Sequence, residues 1–296
     1  MSVTFNDFYP FKAVAIDLDG TLLSHDHTIS EANFAAINAL HANGIEIILA
    51  SGRHHISMLP FARQLPQVKW LVSSLGAFAS DIDRKTVLYE SYLPVKKAAT
   101  IIDIGLDHKY TVVIYTKNGI FCLNESEWTK FYVQLSGIKP MLTTRQAILE
   151  DSILKVIIIG PEESIEAAEE FAGIQNWDLY KVRNLKNVFE FAGRGTSKAL
   201  GLKPLLAHLA IEVSQLAAFG DAPNDIPMFE IAGYSVAMDT GWSEAKSAAH
   251  AVSTVGPPES AFAHAVSMLW EQAKHIDAPR ARVSGKRPHD LDDARI

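Results

Sequence analysis

Short apolar runs that end in acidic or small polar residues set the rhythm of this chain. The first, Lys12-Ala-Val-Ala-Ile-Asp17, has the near-continuous apolar character of a strand buried on both faces of a parallel sheet. Ser30 reads as a helix N-cap. Ala32, Ala35, Ala36, Ala39 and Leu40 then recur at helical spacing through Glu31–Asn43, and Gly44 closes the helix. A second strand, Ile45–Ala50, leads into Ser51-Gly52-Arg53. Strand, helix and strand over that length form a βαβ unit, so the two strands should be parallel. A third strand, Lys69–Val72, follows a helix-sized interval.

From about Asp81 the rhythm changes. The pattern predicts strands near 86–90, 111–115, 119–123, 153–159, 177–182 and 187–191, with helices near 94–106, 126–136 and 162–173. Lys117-Asn118-Gly119 marks a hairpin turn. Hairpins mixed with helices indicate an α+β insert. After Gly195 the α/β rhythm resumes, with helices near 196–209 and 224–232 and strands at Gln215–Phe219 and Tyr234–Met238. The expected architecture is an α/β parallel-sheet core of the Rossmann-like kind, residues 1–81 and 193–274, interrupted by a smaller α+β domain at 82–192. The polar, aperiodic stretch 275–296 is expected to be disordered.

Composition narrows this picture. The 296 residues are 48% hydrophobic and carry a net charge of −7, enough for a substantial core and unfavourable for non-specific binding to nucleic acid or anionic membranes. The first residues lack a basic segment followed by an apolar run, and no stretch approaches the roughly 20 apolar residues of a membrane span. A cytoplasmic protein is expected, monomeric or a small homo-oligomer. Cys122, the single cysteine, lies in an apolar run and is expected to be a buried, inert thiol.

The chemistry sits at strand ends, where ligands of open parallel sheets bind. The first strand ends in Asp17-Leu18-Asp19-Gly20-Thr21, the second in Ser51-Gly52-Arg53, and the strand near 215–219 in Gly220-Asp221-Ala222-Pro223-Asn224-Asp225. Side chains two residues apart in extended chain point the same way, so Asp17 and Asp19 can face one pocket. Alone, that Asp-x-Asp-Gly would equally serve as a turn. Asp221 at a second strand end adds a carboxylate, and such a set requires a cation or a proton. Few hard oxygen ligands, with room for water and phosphate, suit Mg²⁺. Ser51 and Gly52 offer a hydroxyl and an open backbone N–H to a phosphate oxygen. Lys198, at a helix start, can add positive charge, although a lysine there is more often solvated.

As a set, Asp-x-Asp-Gly-Thr, Ser-Gly-Arg, a later lysine and Gly-Asp-x-x-Asn-Asp resemble the four motifs of the haloacid dehalogenase-like hydrolases. The insert between the second and third motifs is similar to the cap of the Cof-type (subfamily IIB) sugar phosphatases. The resemblance implies a Mg²⁺-dependent phosphatase acting on a small phosphorylated metabolite, a sugar phosphate or a phosphorylated cofactor. Asp17 would be the nucleophile that forms an aspartyl-phosphate, and Asp19 the acid and then the base. Ser51 and Lys198 would hold the phosphoryl group. Leu18, Thr21, Gly52, Arg53 and Asn224 would join them around substrate and phosphate. Asp17, the Asp19 backbone carbonyl, Asp221 and Asp225 would surround the metal, with Asp225 orienting Lys198.

Some positions depart from the family pattern. Ser74-Leu75-Gly76-Ala77 stands where Asn-Gly-Ala is common, Asp239-Thr240-Gly241-Trp242 where Asn-Ala is common, and Gly256-Pro-Pro-Glu-Ser replaces an acidic-Gly-Val segment. These changes are expected at the pocket rim, where they affect substrate choice more than chemistry. His25, His27, His54 and His55 are expected as surface or rim histidines rather than metal ligands. Arg53 would either contact a second anionic group of the substrate or pair with a neighbouring carboxylate. Trp128, Phe131 and Tyr132 are expected to pack in the core of the insert. Arg183, Asn184 and Asn187 lie near the return from insert to core, within reach of substrate by position alone. The competing readings are a phosphomutase on the same fold and a non-catalytic phosphometabolite-binding regulator.

Overall fold

The computed structural model describes residues 10–174, 177–254 and 258–276. Strand β1 (Ala13–Ile16), helix α1 (Glu31–Ala42) and strand β2 (Glu46–Ala50) form the expected βαβ unit, with β1 and β2 parallel. Ser30 caps α1 by accepting from the Asn33 backbone N–H. Helix α2 (His55–Ala62) leads to β3 (Trp70–Ser73), parallel to β2.

Two further strands, β4 (Phe78–Asp81) and β5 (Val87–Glu90), extend the same sheet antiparallel. The strand read near 86–90 as part of the insert therefore pairs within the first sheet. Strand periodicity reports which face is buried but not which neighbour is hydrogen-bonded, so local pattern could not assign it.

A second sheet follows. Its elements in chain order are α3 (Val95–Asp107), β6 (Thr111–Thr116), β7 (Ile120–Cys122), α4 (Glu127–Ser136), β8 (Met141–Leu142), α5 (Arg145–Leu149), β9 (Ile153–Ile159), α6 (Glu162–Ile174), β10 (Tyr180–Leu185) and β11 (Val188–Ala192). The strands lie in the order β10-β11-β9-β6-β7-β8. The hairpin at Asn118-Gly119 joins β6 to β7 as expected, whereas the strand placed near 177–182 begins later, at Tyr180.

The chain then returns through α7 (Lys198–His208), β12 (Leu216–Gly220), α8 (Ile226–Ile231), β13 (Tyr234–Ala237), α9 (Ser243–Ala248), β14 (Ala251–Val252) and α10 (Pro258–Ile276). The first sheet is ordered β14-β13-β12-β1-β2-β3-β4-β5, and β1 sits between β12 and β2, parallel to both. The expected disordered stretch lies almost wholly outside the described residues, as do Gly256 and Pro257.

The period-two alternation of the strands builds both layers. Val14 and Ile16 face α1 and α10, where they meet Ile37, Leu40 and Phe262. Ala13 and Ala15 face α7 and α8, against Leu202, Leu205 and Met228. Each large aliphatic side chain so buried contributes about 1.5–3 kcal/mol. In the second sheet, Val112, Ile114, Val156 and Ile158 pack beneath α3 and α6. The opposite face, including Ile157, Ile159 and Val188, turns toward the carboxyl ends of the first sheet's parallel strands and roofs a cleft there.

Candidate active site

Asp17 follows β1 directly and is buried. The Lys198 ammonium, at the first position of α7, donates to the Oδ1 atoms of Asp17 and Asp225, each at 2.5 Å. Ser197 caps that helix. Lys198 is 0% exposed, so its charge has no solvent and depends on these two carboxylates. Burial works against the ammonium, but Asp17 and Asp225 outweigh it and hold its pKa above the ordinary lysine value.

Asp221 completes the group. Carboxylate oxygens of Asp17, Asp221 and Asp225 lie within 4.8 Å of one another. Thr21 donates its hydroxyl to Asp221 Oδ1 at 3.3 Å. Burial pushes the Asp221 pKa up to about 7, and the nearby Asp225 charge adds to the effect. Asp17 is likewise lifted well above the usual range, by burial first, with Lys198 pulling the other way. Three carboxylates thus share one ammonium, a surplus of negative charge that a divalent cation would neutralise. The Oδ1 atom of Asn224, at the same strand end, is buried without a hydrogen-bond partner, as an oxygen awaiting a cation or its water would be. Asp225 plays a different part from the other two. Its Oδ2 accepts from the backbone N–H groups of Asp221 and Ala222, both at 2.9 Å, while Oδ1 holds Lys198. Both of its oxygens are engaged by the protein.

The turn around Gly20 keeps these groups close. Gly20 has φ of +79°, and a Cβ there would collide with the Asp221 carboxylate. Leu18 lies in the core, and its carbonyl accepts from the Leu23 N–H.

Asp19 points elsewhere. Arg53 forks onto it, Nε to Oδ2 at 2.7 Å and Nη2 to Oδ1 at 2.6 Å. His27 Nδ1 lies 3.6 Å from Oδ1. Burial alone would raise the Asp19 pKa, but the Arg53 fork, aided by His27, brings it down to about 2. Arg53 thus pairs with a neighbouring carboxylate, the second of its two expected roles. Its Nη1 also donates to the Ser136 carbonyl at the end of α4, and its guanidinium lies 5.3 Å from the Phe61 ring centre. Ser51 accepts the Arg53 backbone N–H on Oγ at 3.2 Å.

Asp17, Asp19, Ser51, Gly52, Arg53, Asp221 and Asn224 all line one cleft of about 380 Å³, a volume suited to a small ligand. Three strand ends predicted to converge do so. Other expectations are revised. His25 and His27 stand at the rim, whereas His54 and His55 are buried and bonded to backbone carbonyls of Thr116 and Ile82. Leu75 is not at the rim. It is buried with φ of +62° and packs beneath Gly52. Thr240 and Trp242 do line the cleft. Arg183 pairs with Glu162, Glu166 and Glu169 of α6, and Asn187 donates to the Gly160 carbonyl, so neither reaches the cleft. The Asn184 side chain lies outside the described residues. Cys122 is buried as expected, and burial raises its thiol pKa.

Among the cleft residues of the second sheet layer that were not read as site residues are two tyrosines and an ion pair, Tyr115, Tyr132, Lys155 and Glu190. Lys155 donates to Glu190 Oε1 and to the Gly52 carbonyl, both at 2.9 Å. A lone lysine inside Ile-Leu-Lys-Val-Ile-Ile-Ile and a lone glutamate inside Val-Phe-Glu-Phe-Ala were the available signals, since such charges are almost never fully buried unless paired. Tyr132 had been read as core only.

A profile of the haloacid dehalogenase-like hydrolases matches residues 14–265. The chain belongs to that family. Among relatives of these hydrolases, phosphatase YwpJ of Bacillus subtilis is 28% identical, over 87% of this chain and 99% of its own. The 5-amino-6-(5-phospho-D-ribitylamino)uracil phosphatase YitU of the same organism is 26% identical, over 80% and 90%. The solved structure of the subclass IIB sugar phosphatase BT4131 superposes with a TM-score of 0.77 at 23% identity, covering 88% of this chain and 99% of that one, a likeness of fold. This haloacid dehalogenase-like hydrolase is an enzyme, a phosphatase by family and by its relatives. Among the described residues, no helix is long and apolar enough to cross a membrane.

Proposed function

We propose that this phosphatase hydrolyses a small phosphate monoester through an aspartyl-phosphate on Asp17, with Mg²⁺ as its cation. The observation that carries the reading is the single ammonium of Lys198 shared by Asp17 and Asp225, with Asp221 beside them, at the floor of a cleft. The surplus negative charge and the orphaned Asn224 oxygen fit a hard divalent cation. Asp17, the Asp19 carbonyl and Asp221 would hold it, with Asp225 behind them fixing Lys198 and the loop. When bound, Mg²⁺ orients the phosphate and screens its charge from the incoming carboxylate.

The remaining steps belong to the chain. An Asp17 oxygen attacks phosphorus as the bond to the leaving alcohol breaks, and Asp19 gives that alcohol a proton. Water then attacks the phosphoenzyme, Asp19 takes its proton, and the bond from phosphorus to Asp17 breaks. The Arg53 clamp favours the ionised Asp19 that the second half uses. The first half needs the carboxyl protonated and turned off Arg53. Lys198 and the Ser51 hydroxyl offset charge on the phosphoryl oxygens. The layer that follows β5 and ends with β11 acts as a cap that excludes bulk water over the cleft, with the first sheet and its helices as core.

Replacing Asp17 with asparagine should reduce Mg²⁺-dependent phosphate release from p-nitrophenyl phosphate on the order of 10³-fold or more, with an unchanged circular dichroism spectrum. Turnover near the wild-type rate would overturn the covalent mechanism. Release of phosphate without transfer to a second hydroxyl separates hydrolysis from the mutase reading, and any Mg²⁺-dependent turnover excludes the regulator.

A further inference from the structure

The loop that carries the Ser51 hydroxyl is bonded from two layers. The Ser51 carbonyl accepts from the Leu75 N–H at 3.2 Å and the Arg53 carbonyl from the Ser74 N–H at 2.7 Å, both just past the end of β3. The carbonyl between them, on Gly52, takes its bond from the cap instead: the Lys155 ammonium of β9 donates to it at 2.9 Å. Lys155 is 1% exposed, and Glu190 of β11 accepts from the same ammonium and compensates its charge. A buried lysine inside a run of isoleucines is costly, and here its length carries a cation across to one backbone oxygen.

That oxygen belongs to the peptide whose N–H, on Arg53, donates to Ser51 Oγ at 3.2 Å. A cation at the carbonyl end of a peptide polarises it and strengthens its N–H as a donor. The Ser51 hydroxyl accepts from Arg53 and keeps its own proton to give, and at this end of the cleft the receiver is a phosphoryl oxygen. Leu75 lies 3.1 Å from where a Cβ on Gly52 would stand, so the peptide is held between Leu75 and Lys155.

Resting on the phosphatase reading above, we infer that Lys155 is a positioning residue for phosphoryl transfer. It reaches from the cap to the Gly52 carbonyl, fixes the Gly52–Arg53 peptide and thereby aims the Ser51 hydroxyl. The phosphate end of the cleft is then complete only while β9 lies over it, and Lys155 need touch no part of the substrate.

Lys155→Met alone would strand the Glu190 charge and endanger the fold, so the test uses Lys155→Met with Glu190→Leu, which leaves no buried charge without a partner. The substrates are p-nitrophenyl phosphate and acetyl phosphate, which has no ring to reach the cap, each with Mg²⁺. For both, kcat should fall about 10–100-fold, because the hydroxyl is mis-aimed whatever the leaving group. A loss with p-nitrophenyl phosphate but not with acetyl phosphate would make the pair a contact of the leaving group and overturns the inference. The same two substitutions are then made in Ser51→Ala. With no hydroxyl left to aim, the further loss in kcat should be under about threefold. A loss as large as in the Ser51 enzyme, as a merely structural role would give, overturns the inference. If the wild type turns over neither ester, the phosphatase reading fails instead, and calorimetric binding of inorganic phosphate decides. Affinity lowered about tenfold by the paired substitution when Ser51 is present, and unchanged by it in Ser51→Ala, supports the positioning role. Equal effects in the two backgrounds overturn it.

Discussion

At the scale of single residues, the contact with most consequence is the fork of Arg53 onto Asp19. A carboxyl that must both give and take a proton is here held ionised by that fork, with its pKa near 2, although nearly half of its side chain is exposed. Without the guanidinium, burial is the dominant influence and acts in the opposite direction. In Arg53→Gln, the limb of kcat that requires ionised Asp19 should therefore move to higher pH, by about 1–3 units. A pH–rate profile of phosphate release measures it, and superimposable acid limbs in wild type and variant would sink the idea. Arginine after Ser-Gly was legible as a functional candidate, but its partner was not. The fork closes across 34 positions of sequence and depends on where two long side chains point after the sheet has formed. Asp17, Ser51 and Asp221 were easier to read, because the backbone topology itself delivers strand ends to one edge, whereas Lys198, at the start of α7, stood out only as part of the motif set.

At the scale of elements, the loop from β2 into α2 does more than offer a phosphate-binding hydroxyl. His54 caps α2 with its ring: Nδ1 accepts the Ile56 N–H, which leaves Nε2 to donate to the Thr116 carbonyl at the end of β6. Burial pushes its pKa down to about 4. The unfolded chain, with an ordinary histidine near 6.5, then binds that proton more readily than the fold does. The contribution is complete above pH 6.5 and is lost as pH falls through 4. His54→Asn keeps a good capping residue and removes the titration. Between pH 7 and pH 5 the wild type should lose about 2 kcal/mol more stability than this variant, read from urea unfolding. Parallel losses would rule out His54 as the source. His54 and His55 had been expected at the surface or rim, because spacing shows that they follow a strand but not that a second sheet descends upon them. Strand β4 escaped for a related reason. It is four small or single aromatic residues, Phe78–Asp81, entered from the left-handed pair Ser74 and Leu75, and has too little pattern to announce a strand.

At the scale of the molecule, the two sheet layers meet through one short segment. Gly52 gives its carbonyl to Lys155 of β9, Arg53 reaches the last carbonyl of α4, and His54 reaches the last of β6. Three successive residues behind the Ser51 hydroxyl thus register where the second layer sits, so displacement of the cap would be felt at the phosphate end of the cleft. Lys155 is the costly member. It is 1% exposed, stacked 4.5 Å from the Tyr115 ring centre, and burial lowers its pKa against the support of Glu190. The pair is therefore a compensated charge, and its value shows only when one partner is removed. Lys155→Met, close in length, leaves the Glu190 carboxylate buried and unpaired and should cost about 3–5 kcal/mol. Adding Glu190→Leu should return most of that loss, because two apolar side chains of similar volume need no compensation there. The double-mutant cycle is read by denaturant unfolding, and a double variant as unstable as the sum of the two singles would mean that the pair does not act by charge compensation. A restored stability with a lowered kcat would instead separate the two tasks of Lys155: holding the fold, which methionine and leucine can do together, and holding the Gly52 carbonyl beside the phosphate, which they cannot.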